Sequence, residues 1–334
     1  MLSPDAGAVV SASHNPPEYN GVKFFHQGLK LTDAEEEAVE DLLDAPGGDG
    51  GSASEQQGVV RSYVDLLVER LGVPMHGLRL AVDCANGAMY EAAPAAFERL
   101  GAEVIPVGVE PDGRNINAGC GATDLSLLAR IAREEPVDLG VAFDGDGDRV
   151  LAVDGAGNEI DGDQILAVLA LHLGVDLVAV TEMTNLGFHR LMEERGIRVI
   201  TTGVGDRYVL QALDAEGGLL GGEQSGHIVY ELRGDGLAAA LLLARAVVES
   251  GTPLAELAAV MRKYPQAKAS APVRSKTIGP ELRDAIDELA AGARIVVRPS
   301  GTEPVVRILV EAETEEEAEA RCGKILSLVL RELG

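Results

Sequence analysis

The sequence has no tryptophan, and aromatic residues make up only 3% of its 334 positions. Any core must therefore be aliphatic, built from Val, Leu, Ile and Ala. Cysteine is also scarce: Cys84, Cys120 and Cys322 are scattered and odd in number, and no Cys-x-x-Cys occurs. This argues against a disulfide scaffold or a zinc knuckle and fits a reducing compartment. Positive charge is thin, with 28 Lys and Arg against 54 Asp and Glu and a formal net charge of -26. Such a surface repels nucleic acid and anionic membrane, so neither is expected as a partner. An anionic substrate would need basic residues concentrated locally and a metal to help. No run of eighteen or more apolar residues and no signal-peptide pattern is present, which points to a cytoplasmic protein. The sequence also lacks a G-x-x-x-x-G-K-[ST] loop, and no G-x-G-x-x-G opens a helix, which argues against a dinucleotide enzyme.

Hydrophobic residues reach 46% and charged residues 25%, enough for real cores. At roughly 100–150 residues each, the length suggests two to four domains. Strand-like runs at Ala8–Val10 and Val22–Phe25 flank a loop, Ser11 to Gly21. A helix is expected from Thr32, where Thr32 and Glu35 read as a capping box, to before Pro46. Gly47–Ser52 has the composition of a linker. The segment before it is short for a domain, so the first domain is expected to be incomplete, with an exposed sheet edge and exposed apolar faces. Beyond it, a helix carrying Val60, Val64, Leu67, Val68 and Leu71 precedes alternating strands and helices, the rhythm of a parallel α/β sheet. A second such unit runs from about 159 to 266. A smaller final unit has strands Arg294–Arg298 and Val305–Glu311 and a long helix after Thr314, where Thr314 and Glu317 read as another capping box.

Four loops carry chemistry. Ser11-Ala12-Ser13-His14-Asn15-Pro16, with Lys23 nearby, sets a serine beside a histidine in a proline-stiffened turn; alone it reads as a polar loop, or as a nucleophile loop. Asp144-Gly145-Asp146-Gly147-Asp148-Arg149 places three carboxylates at alternate positions, with glycines that let them converge. Oxygen-only donors suit Mg²⁺ or Ca²⁺. An EF-hand would need Gly at its sixth position and Glu at its twelfth, where this chain has Arg149 and Gly155. Gly221-Gly222-Glu223-Gln224-Ser225-Gly226-His227 could hydrogen-bond sugar hydroxyls, although in isolation a polar turn is the plainer reading. Arg298-Pro299-Ser300-Gly301-Thr302-Glu303-Pro304 combines an arginine, two hydroxyls and a glycine turn, as in an anion nest.

In this order the four loops resemble those of the α-D-phosphohexomutase superfamily over essentially the whole chain. Within it, the nearest likeness is to the bacterial phosphoglucosamine mutases. That likeness is carried by Gly222-Glu223-Gln224-Ser225-Gly226-His227, Val204-Gly205-Asp206-Arg207-Tyr208-Val209, Asp83-Cys84-Ala85-Asn86-Gly87-Ala88, Asn115-Ile116-Asn117 and Cys120-Gly121-Ala122-Thr123-Asp124. The resemblance implies three similar mixed α/β domains, the first truncated, plus a smaller C-terminal α+β domain of the TATA-binding-protein-like type, around a central cleft. The divisions would be 1–55, 56–158, 159–266 and 267–334. It implies that Ser13 is a phosphoserine and that Asp144, Asp146 and Asp148, with Ser13, hold one Mg²⁺. His14, Lys23 and Arg149 would stabilise the transferring group or shuttle protons. Glu223, Ser225 and His227 would bind the sugar, and Arg298, Ser300, Gly301, Thr302 and Arg307 the other phosphate. Two departures stand out: the superfamily's N-terminal Gly-Thr-Asp-Gly-type motif is absent, and Gly203 stands where a lysine is often found, although Arg207 remains.

The activity implied is exchange of glucosamine 6-phosphate and glucosamine 1-phosphate through glucosamine 1,6-bisphosphate as intermediate and activator, serving amino-sugar nucleotide and cell-wall synthesis. A fourth domain closing over the substrate would limit hydrolysis. A monomer or homodimer is expected. The alternatives are a phosphomannomutase or phosphoglucomutase acting on neutral hexose phosphates, or an inactive sugar-phosphate-binding fragment.

Overall fold

Four hydrogen-bonded sheets succeed one another along the chain, and the computed structural model describes residues 4–26, 29–45, 47, 50–231, 233–300 and 303–334. The first sheet is antiparallel, with β1 (Ala6–Ser11), β2 (Gly21–His26) and β3 (Leu29–Lys30) in that order. Helix α1 (Asp33–Glu40) follows, and its capping box forms in full: the Thr32 hydroxyl accepts from the Glu35 N–H while the Glu35 carboxylate accepts from the Thr32 N–H. Strand β1 is an open edge, and Val10 is 68%, Val22 53% and Phe24 43% exposed. Among the described residues, edge and apolar surface are thus both uncovered.

In the second unit, α2 (Val59–Leu71) buries Val64, Leu67 and Leu71 and ends where Gly72 leaves the helical region. Val60 falls outside this buried stripe, because the first turn borders a surface hollow lined by Gln56, Val60 and Glu91. Strand β4 (Arg79–Asp83), α3 (Ala92–Arg99), β5 (Glu103–Val107), α4 (Ser126–Glu134) and β6 (Leu139–Phe143) come next, and their strands lie in the order β5-β4-β6, all parallel. Then β7 (Val150–Asp154) and β8 (Glu159–Ile160) extend the same sheet antiparallel. The sheet is therefore mixed rather than wholly parallel. The aspartate loop is too short for the crossover of a dozen or more residues that a parallel connection needs. Because β8 pairs with β7, this sheet runs past the expected 158/159 division.

The third unit repeats the plan with α5 (Gly162–Leu173), β9 (Leu177–Thr181), α6 (Leu186–Arg195), β10 (Arg198–Thr202), α7 (Asp206–Glu216), β11 (Leu220–Gly222), β12 (Ile228–Tyr230), β13 (Arg233–Gly234), α8 (Gly236–Ser250) and α9 (Leu254–Ala258). Its strand order is β10-β9-β11-β12-β13, parallel at one side and antiparallel at the other. Helix α8 is buried over most of its surface and packs on α2 and α5, so the second and third units share one aliphatic core. Among the described residues, no helix is long and apolar enough to cross a membrane.

The fourth unit contains β14 (Gln266–Pro272), α10 (Pro280–Glu288), β15 (Arg294–Pro299), β16 (Val305–Glu311) and α11 (Glu315–Leu333), with strand order β14-β16-β15. Both helices cover one face of the sheet. Strand β14 begins at Gln266, just ahead of the expected boundary. Only half of the second capping box forms: Thr314 accepts from Glu317 N–H, but the Glu317 carboxylate turns to Arg321, 2.5 Å away. The unit is pinned to the third by the buried Glu311, which accepts from Leu186 N–H (3.0 Å), Gln266 Nε2 (2.8 Å) and Arg294 Nη1 (2.5 Å). Arg294 also donates to the carbonyls of Glu182 and Thr184.

Asp163, at the start of α5, is fully buried and accepts from Asn185 N–H at 2.8 Å. Burial, with the Asp161 charge beside it, pushes its carboxyl from 3.8 up to about 7. The folded chain thus keeps a proton that the unfolded chain has released, and stability falls as pH rises between those values. Asp163→Asn should remove this dependence. Urea unfolding should show the variant gaining about 3 kcal/mol on the parent between pH 5 and pH 8.

Candidate active site

Ser13 lies between β1 and β2 with φ +51°, in the left-handed region that a serine occupies at a cost. Its neighbours hold it there. Ser13 N–H donates to Ser11 Oγ (2.9 Å), and the Ser13 carbonyl accepts from Gly145 N–H (3.0 Å) and Asn117 Nδ2 (2.7 Å). The hydroxyl then donates to Asp144 Oδ2 at 3.3 Å and lies 3.3 Å from His14 Nδ1.

The aspartate loop joins β6 to β7. Asp144 Oδ1 accepts from the N–H groups of Gly147 and Arg149, each at 3.1 Å, which winds the loop tightly. Gly145 has no room for a side chain, since a Cβ would stand 2.5 Å from the Ser13 carbonyl oxygen and 2.5 Å from Ile116 Cδ1. One oxygen from each of Asp144, Asp146 and Asp148 falls within 4.8 Å of the others. Lys23 Nζ lies 2.6 Å from Asp146 and 3.3 Å from Asp148. Asp146 Oδ1 and Asp148 Oδ1 are buried and accept no hydrogen bond from the described residues. Burial, with Asp148 and Asp146 alongside, pushes the Asp144 carboxyl up to about 7. Crowded oxygens, two of them orphaned, form a hard donor set that fits Mg²⁺.

The Glu223 loop joins β11 to β12. Glu223 accepts from Gly205 N–H at 3.1 Å and from Ser225 Oγ at 3.3 Å. His227 is only 5% exposed and stands between two carboxylates, with Nδ1 3.6 Å from Asp148 and Nε2 3.4 Å from Asp206. Asp206, the first residue of α7, also pairs with Lys30 of β3. Burial works against the Asp148 carboxylate, but His227, Lys23 and Lys30 outweigh it and hold its carboxyl well below the usual range. Burial likewise opposes Asp206, and Lys30 and His227 prevail.

Ser13, His14, Lys23, Asp148, Arg149, Glu223 and His227 border one cavity of about 460 Å³, so the first three loops meet. Arg298 and Arg307 line a separate hollow of about 240 Å³ on the fourth unit. Arg298 Nε lies 3.1 Å from Glu182, and Arg307 pairs with Glu303 at 2.6 Å. Ser300 is buried; its hydroxyl accepts from Glu303 N–H and its carbonyl from Lys276. Gly301 and Thr302 lie outside the described residues. Lys30 and Asp206 also border the larger cavity, and Asn117 clamps Ser13, yet the chemistry of the sequence singles out none of the three. For Asn117 and Asp206 the only signal is the shared motifs around them; Lys30 has none.

Known proteins match this arrangement. Residues 2–47, 61–157 and 161–264 match phosphoglucomutase/phosphomannomutase alpha/beta/alpha domains I, II and III, and 242–327 match the C-terminal domain. These define a phosphohexomutase-type chain. A phosphoglucosamine mutase of Saccharopolyspora erythraea is 46% identical over 97% of this chain and 78% of its own length. The crystal structure of a phosphoglucomutase/phosphomannomutase family protein from Burkholderia thailandensis is 25% identical, with a TM-score of 0.78 over 98% of this chain and 75% of that one. Aspergillus fumigatus N-acetylphosphoglucosamine mutase, solved with GlcNAc-6P and magnesium, shares the fold at 19% identity, with a TM-score of 0.74 over 98% of this chain and 89% of that one. By identity and coverage, the chain belongs to the bacterial phosphoglucosamine mutase family.

Gly145→Ala should drive the Ser13 loop away from Asp144. Amide hydrogen exchange should quicken at least about tenfold over residues 11–15, while β4 and β6 keep their protection.

Proposed function

We propose that this chain interconverts glucosamine 6-phosphate and glucosamine 1-phosphate, carrying the travelling phosphoryl group on Ser13. The observation that carries this reading is Ser13 itself: its hydroxyl is held in a costly backbone conformation 3.3 Å from Asp144, facing the cavity that Glu223 also borders. The working division is the four domains set out above, with each contributing one loop, and the working location is the cytoplasm.

Asp144, Asp146 and Asp148, with an oxygen on Ser13, would hold one Mg²⁺, which when bound neutralises phosphoryl charge. Phosphoryl transfer depends mainly on positioning and charge. Glu223 and Ser225 hold sugar hydroxyls, and Arg298, Ser300, Gly301, Thr302 and Arg307 hold the phosphate that is not moving. His227 borders the cavity with Glu223 as a third sugar contact, and its ring, placed between Asp148 and Asp206, also aligns the aspartate loop with the sugar loop. The sugar O1 attacks phosphorus as the bond to Ser13 Oγ breaks; the O1 proton leaves to a base, and a proton from that base is returned to the Ser13 Oγ that carries away the electron pair. Burial and the Arg149 charge lower the His14 imidazole below its ordinary value, so it is neutral near pH 7 and able to accept the O1 proton. Lys23, held cationic by Asp146 and Asp148 in spite of burial, adds positive charge beside the transferring group. The 1,6-bisphosphate turns in the cavity and returns its 6-phosphoryl group to Ser13.

Ser13→Ala should lower mutase turnover by about 10⁴-fold or more in a coupled assay, with the circular dichroism spectrum unchanged. Retained turnover would remove Ser13 from the carrier role. Turnover of glucose or mannose phosphates in preference to the hexosamine would overturn the substrate assignment. Asp146→Asn should weaken Mg²⁺ binding, measured by calorimetry, at least about tenfold.

A further inference from the structure

The outward face of the C-terminal sheet carries three rows of side chains aligned across its strands. Gln266, Glu311 and Arg294 stand opposite one another in the first, Lys268, Leu309 and Val296 in the second, and Ser270, Arg307 and Arg298 in the third. The first row anchors the unit to its neighbour. The other two rows line the hollow of about 240 Å³, together with Met183 from the third unit. A water occupies about 30 Å³ of liquid, so this hollow has room for a phosphate group and several waters.

Three cations face this space. Arg298 is engaged by Glu182 and Arg307 by Glu303. Lys268 differs: among the described residues it has no carboxylate partner, and its Nζ donates instead to the Gln224 side-chain oxygen at 3.1 Å. Gln224 adjoins Glu223 in the loop between β11 and β12. The hollow thus holds an ammonium without a counter-charge, in a chain whose net charge is -26. Ser270 adds a hydroxyl in line with Arg307.

We propose that Lys268, with Ser270, is a further phosphate ligand. It binds the dianionic phosphate at the unreacting end of the sugar phosphate beside Arg298 and Arg307, and ties that phosphate to the sugar loop through Gln224. The residue lies outside the Arg298–Pro304 loop, on a different strand, and reaches the same hollow through the register of the sheet. The assignment of this phosphate to a sugar rests on the mutase reading; the anion seat does not.

The test uses the full chain with Lys268→Met, which keeps the aliphatic stem and removes the charge, and Arg298→Ala as reference. Inorganic phosphate binding is followed by calorimetry, and KM and kcat by a coupled assay with glucosamine 6-phosphate. Lys268→Met should raise both the phosphate Kd and KM about tenfold, as expected for loss of one charge-assisted hydrogen bond, with kcat within about twofold. Lys268→Arg should recover most of the affinity. Unchanged phosphate affinity and KM in Lys268→Met would overturn the proposal, whether or not Arg298→Ala moves them. A fall in kcat alone would also overturn it, making Lys268 a positioning residue for Gln224. If the parent lacks mutase turnover, the function proposed above fails, and the phosphate titration still decides the role of Lys268.

Discussion

Four carboxylates, Asp144, Asp146, Asp148 and Asp206, meet where three units join, and their repulsion governs how those units are held. Two unit charges about 4 Å apart at a protein surface interact by about 4 kcal/mol. Such a cluster persists by keeping a proton, as the raised Asp144 carboxyl does, or by drawing positive charge to it. The first sheet brings Lys23 and Lys30 from successive strands, and the third unit brings His227 between Asp148 and Asp206. Among the described hydrophobic residues of the first unit, Ala12 is the only fully buried one. That sheet is therefore held against its neighbours by charge and by hydrogen bonds to Ser13, Asn15 and Glu36 rather than by a core.

This has a cost and a use. A sheet attached mainly through polar contacts gains little from hydrophobic burial. Several of those contacts converge on the Ser13 loop, however, so part of the attachment and the reactive geometry are one set of interactions, while Lys30 and Glu36 hold the unit from further along the chain. Gly145 and Asn117 act directly on the Ser13 carbonyl, and Asp144 on its hydroxyl. The second and third units are built differently: α2, α5 and α8 bury a shared aliphatic core that gives the junction a stable floor.

The local parts of this design were legible in the sequence. The Asp144–Arg149 loop, the Thr32 cap and the strand at Glu103–Val107 depend on neighbours in the chain, and each appears as read. Helix α8 is not legible from periodicity, because a helix buried over most of its surface shows little of the apolar stripe that reveals one. Strand β14 alternates, but its inward positions are alanines, which signal a strand weakly. The partnerships of Lys30 with Asp206, His227 with Asp148, and Glu317 with Arg321 each decide between several available partners. Most of them also cross unit boundaries that a local motif does not encode.

In the C-terminal sheet, the anchor row and the row of Arg298 and Arg307 share the same strands, which ties the position of one to the other. Glu311 fastens β16 at one end, and Arg307 faces the hollow four residues away. At about 3.3 Å per residue that is an arm of about 13 Å. A tilt of about 10° around the Glu311 row swings the Arg307 row by about 2 Å, the difference between a hydrogen bond made and one lost. Glu182 meets Arg298 in that same row, so the third unit holds the sheet at both ends of this arm, and the spacing between the two rows is fixed by the strands rather than by any loop.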